Sequence, residues 1–156
     1  MIEYRTGDIL ATDAEAVVIP TNCLGVMGAG LAKQARDKWP GLEVAYKEAC
    51  AHMKPGRIWV WTHSWQDGMP VIICLPTKDR WKNPSRLEYV ASGLACLAFA
   101  INDDRNINAL DTIAIPPLGC GLGGLRWESV GPMIEAFGKR FGGHTILIYP
   151  PQGLAR

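Results

Sequence analysis

Pro20-Thr21-Asn22-Cys23-Leu24-Gly25-Val26-Met27-Gly28-Ala29-Gly30-Leu31-Ala32 joins an apolar run, Ala16-Val17-Val18-Ile19, to a helix-compatible segment, Leu31 to Lys38. Strand, glycine-rich turn, then helix is the arrangement that presents backbone N–H groups to a phosphate. A second glycine-rich loop, Gly119-Cys120-Gly121-Leu122-Gly123-Gly124, lies at a similar junction nearer the other end. Two such loops in a short chain point to a nucleotide-type ligand that is phosphorylated and carries ribose.

At 156 residues the chain is expected to form one domain, 1–156, with a substantial core. Hydrophobic residues make up 48% and charged residues 20%, the balance of a globular protein. The formal net charge of +1 exerts no strong pull on a polyanion, so affinity for nucleic acid must come from a local patch. Met1-Ile2-Glu3-Tyr4-Arg5 opens on strand-like residues without the apolar region of a signal peptide. No apolar run approaches the roughly 20 residues of a membrane-spanning helix, so no membrane partner is expected. The five cysteines, Cys23, Cys50, Cys74, Cys96 and Cys120, are odd in number and contain no C-x-x-C pair. They argue against a disulfide framework and fit a reducing cytoplasm. His52, His63 and His144 share no ligand spacing with them, so neither a metal nor another cofactor is expected.

Apolar patterning predicts strands over Ile2–Arg5, Ala16–Thr21, Ile58–His63, Val71–Leu75, Thr112–Pro116 and Thr145–Tyr149, most of them continuous runs suited to burial on both faces. Helices are predicted over Ala29–Lys38, Leu42–His52, Ser85–Asn102 and Trp127–Phe141. In the third, Leu87, Val90, Ala91, Leu94, Leu97, Ala98 and Ile101 recur at helical spacing, and Ser85 with Glu88 reads as a capping box. In the fourth, Val130, Ile134, Phe137 and Phe141 form the apolar stripe, with Gly142-Gly143 as the stop. Alternating strands and helices imply a three-layer α/β/α sandwich around a mixed, mostly parallel six-stranded sheet.

In such sheets ligands lie outside the carboxyl ends of the strands. Both glycine loops, Asp8 after the first strand and Lys78 after Val71–Leu75 fall at that edge, so four loops converge on one cleft. Each also has a plainer reading. A glycine loop is often only a tight turn, Asp8 serves equally as a turn cap, Asn22 tolerates turn geometry, and Lys78 reads as a solvated lysine. Lys78-Asp79-Arg80-Trp81-Lys82-Asn83-Pro84-Ser85-Arg86 interleaves basic groups with an aromatic, which suits single-stranded nucleic acid. Its alternative is a solvated face with Trp81 packed onto the domain. Met27 and Leu122 pack either against the body or over a ligand. Gly119 to Gly124 matches G-x-G-x-x-G, but a dinucleotide-binding unit needs an acid after the next strand, and that strand ends Tyr149-Pro150-Pro151. The phosphate-loop pattern G-x-x-x-x-G-K-[ST] does not occur.

Gly7-Asp8-Ile9, Asn22 with Gly28-Ala29-Gly30-Leu31-Ala32, and Gly119-Cys120-Gly121-Leu122-Gly123 together resemble the macrodomain family of ADP-ribose-binding modules, across essentially the whole chain. Met27-Gly28-Ala29-Gly30 and Leu75-Pro76-Thr77-Lys78 resemble the subgroup holding the terminal ADP-ribose protein glycohydrolase and the DarG antitoxins. Pro116-Pro117-Leu118-Gly119 through Leu125 is most similar to the DarG branch. The resemblance implies Asp8 as acceptor for the adenine amino group, with Ile9 beside it. It implies Gly28, Ala29, Gly30 and Leu31 along the distal ribose and diphosphate, with Asn22 facing that ribose. Thr77, Pro117, Gly119, Cys120, Gly121, Leu122 and Gly123 complete the implied enclosure, and Lys78 matches the catalytic lysine of the subgroup. Where the protein-deglycosylating relative carries Asp after Gly-Cys-Gly-Leu, this chain has Gly123, which leaves Lys78 as the principal reactive side chain.

The implied activity is removal of ADP-ribose from thymidine in single-stranded DNA, as antitoxin to a DNA ADP-ribosyltransferase toxin. Arg80, Trp81 and Lys82 would then contact the DNA, and a monomer is the expected form. Lys78 would act either as nucleophile at the anomeric carbon or as the cation stabilising the departing base. Competing readings are a reader of ADP-ribose without turnover, a hydrolase of protein-linked ADP-ribose or of an ADP-ribose phosphate ester, and a toxin-binding antitoxin.

Overall fold

The computed structural model describes residues 1–61, 69–103, 107 and 109–153. Six strands form one sheet: β1 (Ile2–Tyr4), β2 (Ala16–Thr21), β3 (Trp59–Trp61), β4 (Val71–Pro76), β5 (Thr112–Ile115) and β6 (Thr145–Ile148). The helices are α1 (Gly30–Lys38), α2 (Leu42–Ala49), α3 (Leu87–Asp103) and α4 (Trp127–Gly138), with 3-10 turns at Ile9–Ala11 and Cys50–His52. The strand order is β1-β6-β5-β2-β4-β3. Among the described residues only the edge strand β3 runs antiparallel, to β4. The strand expected over Ile58–His63 starts one residue later, at Trp59, and residues 62 and 63 lie outside the described residues.

Successive side chains along the strands point to opposite faces of the sheet and sort into two buried layers. Val18, Ile73, Leu75, Ile113, Ile115 and Ile146 pack with α3 and α4. Val17, Ile19, Ile72, Cys74, Ala114 and Leu147 pack with Ala35, Trp39, Leu42 and Tyr46 of the α1–α2 side. Both faces being covered explains why the strands read as unbroken apolar runs rather than alternating ones. The sandwich is as expected.

Helix boundaries shift from the sequence pattern: α1 starts at Gly30 rather than Ala29, α2 gives way to a 3-10 turn after Ala49, and the ends of α3 and α4 move for reasons visible in their contacts. Ser85 does not cap α3. Its buried hydroxyl pairs with Thr77 Oγ1 at 2.9 Å, and the carbonyl of Arg86 takes the first helical bond, from Val90 N at 3.2 Å. Glu88, the other half of the expected box, instead lies 3.5 Å from Arg86. A buried Thr hydroxyl needs a partner, and that need outweighs the local capping geometry. The fourth helix ends at Gly138 rather than Phe141, because the following turn tightens, with Arg140 N on Phe137 O at 3.1 Å. Phe141 remains buried and completes the stripe regardless.

Candidate ligand-binding cleft

Parallel pairing puts the carboxyl ends of β1, β6, β5, β2 and β4 along one edge of the sheet. Asp8 therefore stands at one end of that edge and Lys78 at the other. Four strand spacings separate them, about 19 Å at roughly 4.8 Å each. Between β5 and β2 the connections leave to opposite faces, α4 from β5 and α1 from β2, and at this switch point the two glycine loops face each other.

At the β1 end, Asp8 is exposed and caps the Ile9–Ala11 turn, its Oδ1 accepting from Leu10 N at 2.9 Å. The turn-cap reading of Asp8 is thereby realised, and it leaves Oδ2 without a hydrogen bond to any described residue. A pocket of about 210 Å³ opens beside it, lined by Asp8, Ile9, Leu31, Pro117, Tyr149 and Pro151 among others. Apolar and aromatic walls with one carboxylate suit a flat heterocycle that donates an N–H.

The first glycine loop is organised from within. Asn22 is buried; its Oδ1 accepts from Leu24 N at 3.0 Å and Val26 N at 3.3 Å, while its Nδ2 donates to Val26 O at 2.9 Å. The carboxamide thus braces the loop from behind. Tyr46, whose hydroxyl donates to Asn22 O at 2.8 Å, holds the brace against the core, and burial pushes its pKa upward. Met27 is fully buried and its N–H bonds Glu43 Oε2 at 2.9 Å, so it packs on the body rather than over a ligand. Gly28 and extended Ala29 then lead into α1, which starts at Gly30 with φ +59 and has no side-chain cap. The first backbone bond into α1 is Lys33 N to Ala29 O at 3.2 Å. The N–H groups of residues 30–32 therefore point out of the helix end, where the helix dipole favours an anion.

In the second loop, Gly119 sits at φ +73 and its carbonyl accepts from Leu125 N at 2.8 Å. Leu122 is 76% exposed, and its Cδ1 lies 3.8 Å from where a Cβ on Gly30 would be. Its side chain therefore reaches from one glycine loop to the other across the groove. Cys120 is half-buried beside it, its Sγ 3.6 Å from Leu118 O, and burial pushes the thiol up to about 11. Cys23 in the first loop is likewise pushed up, to about 12, by burial and then by the charge of Asp79. Neither is a thiolate nucleophile at neutral pH.

Lys78 leaves β4 on a loop tied at several points. Thr77 N extends the β2 ladder by bonding Thr21 O at 3.0 Å, and Cys23 N bonds Asp79 O at 2.9 Å. Lys78 itself is half-buried, with Nζ 3.4 Å from Trp81 O. No carboxylate of the described residues forms an ion pair with it. Beyond it Arg80, Trp81 and Lys82 are exposed, Trp81 by 58%, so the packed reading of this ring does not hold. A Cβ added to Gly123 would lie 2.2 Å from Ser85 Oγ and 2.6 Å from Gly119 O. The space a carboxylate at 123 would need is already filled by Ser85, which the sequence pattern had placed on a helix cap.

An uncapped helix end and two glycine loops at the switch point, with a base-sized pocket on one side, form a cleft whose chemistry suits a nucleoside diphosphate. Residues 18–134 match the family model of the macro domain, and the chain belongs to that family. It is 39% identical over 158 residues to the DNA ADP-ribosyl glycohydrolase of Mycobacterium tuberculosis, covering all of this chain and 44% of that protein. This chain therefore spans less than half the length of that curated relative. The solved macrodomain of M. tuberculosis DarG superposes with a TM-score of 0.90 at 39% identity, over 97% of this chain and 99% of the other. Thermosipho africanus DarTG, solved in complex with ADP-ribose, superposes with a TM-score of 0.86 at 26% identity, over 96% of this chain and 41% of that one.

Proposed function

We propose that this protein binds ADP-ribose along the carboxyl edge of its sheet and hydrolyses the bond joining it to thymidine in single-stranded DNA, as the antitoxin to a DNA ADP-ribosyltransferase. The observation that carries the reading is the position of Lys78: one strand beyond the glycine loops, at the opposite end of the cleft from the Asp8 pocket, and next to an exposed basic and aromatic loop. The names of the relatives support the same substrate. With adenine against Asp8 and the diphosphate over the α1 N-terminus, the distal ribose falls beneath Leu122 and the reacting carbon faces β4.

Cleavage breaks the bond between the anomeric carbon and the thymine nitrogen. The bonding electrons leave with the base, and the ribose passes through an oxocarbenium-like state. Water adds its hydroxyl to the anomeric carbon and its proton goes to the base, giving ADP-ribose and restored thymidine. The paired carboxylates that ordinary glycosidases use are not supplied by the described loops, and Gly123 leaves no room for one. Lys78 contributes the positive charge that stabilises the leaving base. Arg80 and Lys82 meet the phosphates of the strand and Trp81 stacks on a neighbouring base.

The test is ADP-ribose release from ADP-ribosylated thymidine in a single-stranded oligonucleotide, run beside ADP-ribosylated protein. Release from DNA is expected, with loss of about 100-fold or more in Lys78→Ala and little change in affinity for free ADP-ribose. Turnover that survives Lys78→Ala overturns the catalytic assignment; release from protein alone overturns the substrate.

A further inference from the structure

Ser85 is a buried polar residue at the foot of the Lys78 loop, two residues before α3, and both its hydroxyl and its N–H bond away from that helix. The hydroxyl meets Thr77 Oγ1 at 2.9 Å. The backbone N–H donates to Gly123 O at 3.0 Å, and the next residue, Arg86, donates to Thr77 O at 3.0 Å. Thr77 and Ser85 are 1% and 5% exposed, so these bonds are shielded from water. They close residues 78–84 into a loop with a pinned base, and they fasten that base to the second glycine loop. On its other side the same loop is fastened to the first glycine loop by Cys23 N and Asp79 O at 2.9 Å. Packing repeats the connection: Cβ atoms added at Gly119 and Gly123 would come within 3.0 and 2.2 Å of Ser85. Ser85 thus stands between the 119–123 loop and the Lys78 loop, bonded to Gly123 in one and to Thr77 at the base of the other.

We propose that Ser85 is a positioning residue for Lys78: through the Thr77 hydroxyl and the Gly123 carbonyl it joins the lysine loop to the glycine loop that encloses the ligand, so that a ligand ordering one loop orders the other. This deepens the proposed function and rests on it only for the chemical step; the coupling of the loops stands without it. Ser85 acts on Lys78 through the loop and touches no reacting atom.

The experiment compares wild type, Ser85→Ala, Thr77→Val and the double variant in the full chain. Amide exchange of segments 78–84 and 119–124 is followed with and without free ADP-ribose, together with kcat and KM on ADP-ribosylated thymidine oligonucleotide. In wild type, ADP-ribose is expected to slow exchange in both segments. In Ser85→Ala it slows exchange in 119–124 while 78–84 stays unprotected. For that variant kcat falls at least tenfold and KM changes less than threefold. Thr77→Val breaks the same bond from the other side, so the double variant loses no more kcat than the worse single one. Protection of 78–84 that persists in both single variants overturns the proposal, as does a fall in kcat matched by an equal rise in KM. If wild type protects both segments and the variants uncouple them but no oligonucleotide is cleaved, the coupling stands and the glycohydrolase reading falls.

Discussion

Gly123→Ala adds one methyl group to a place with no room for it. The new carbon would lie 2.2 Å from Ser85 Oγ, 2.6 Å from Gly119 O and 2.8 Å from Ser85 Cβ, where separations of about 3.5–4.0 Å are comfortable. Neither obstacle yields cheaply: the Ser85 hydroxyl is held by Thr77 at 2.9 Å and the Gly119 carbonyl by Leu125 N at 2.8 Å. Overpacking of this kind costs about 1–3 kcal/mol, and displacing Ser85 strands a buried Thr77 hydroxyl for about 1–3 more. A loss of roughly 2–6 kcal/mol lowers Tm by about 4–24 °C in a chain of this size. Three glycines of the same loop are the controls. Gly121 has nothing within 4 Å and no positive φ, so Gly121→Ala stays within about 0.5 kcal/mol of wild type. Gly124 has open space but φ +81, which costs about 1–2 kcal/mol in backbone strain alone. Gly119 combines φ +73 with a 2.7 Å approach to Leu125 and falls with Gly123. Urea and thermal unfolding of the four variants tests the order, and Ser85→Gly in the Gly123→Ala background restores part of the loss. Equal stability of Gly121→Ala and Gly123→Ala would refute the packing argument.

Replacing Arg80 and Lys82 together by Gln lowers the slope of log KM against log salt for the DNA substrate by up to about 1.4, at roughly 0.7 for each phosphate that is no longer neutralised; an unchanged slope removes these residues from the interface. Trp81→Ala raises KM about tenfold, the loss of one stacked base, with folding unaffected because the ring is exposed. Asp8→Asn keeps the cap acceptor on Leu10 N but removes a charge from the adenine pocket, so affinity for ADP-ribose falls about tenfold or more while kcat holds; Lys78→Ala does the reverse. Alkylation of Cys120 accelerates about tenfold per pH unit up to pH 10, because only the thiolate reacts and its pKa lies at about 11. Since Cys23 and Cys120 rise from 9.0 to about 12 and about 11, the unfolded chain releases these protons first, and stability measured by urea titration falls as pH climbs from 9 through 12.

The strands and helices were legible because both faces of the sheet are covered: Val17, Val18 and Ile19, or Ile72 and Ile73, leave no doubt about burial. The glycine loops and Asp8 were legible as strand-end residues. Ser85 was not. Ser-x-x-Glu before an apolar run is locally a capping box, whereas its actual partners are Thr77 and Gly123, and nothing within a helical turn of Ser85 announces them. Asn22 was legible as a residue of the first glycine loop, but the turning of its carboxamide onto the Leu24 and Val26 backbone was not, because a turn residue and a ligand-facing one look alike in sequence. Gly123 was legible as a departure from a pattern, but its cause became visible only with Ser85 packed against it.

Under the proposed function, the strand order divides recognition and reaction among separate residues. Asp8 and Lys78 follow β1 and β4, yet three strands, β6, β5 and β2, stand between them in the sheet. A ligand that touches both must be extended and must cross the switch point, where the glycine loops offer backbone N–H groups as donors. In the proposed reaction, binding energy gathered at the β1 end and over the α1 terminus is applied to a bond at the β4 end, the arrangement by which remote interactions position a reacting centre. Such transfer requires the β4 end to be rigid relative to the glycine loops. Nothing in β4 itself ensures that, because Lys78 lies past the strand's last residue, Pro76. The cross-links that Thr77, Asp79 and Ser85 make to β2 and to both glycine loops supply that rigidity in the proposed scheme, which gives a serine eight residues from Thr77 as much weight there as the glycines.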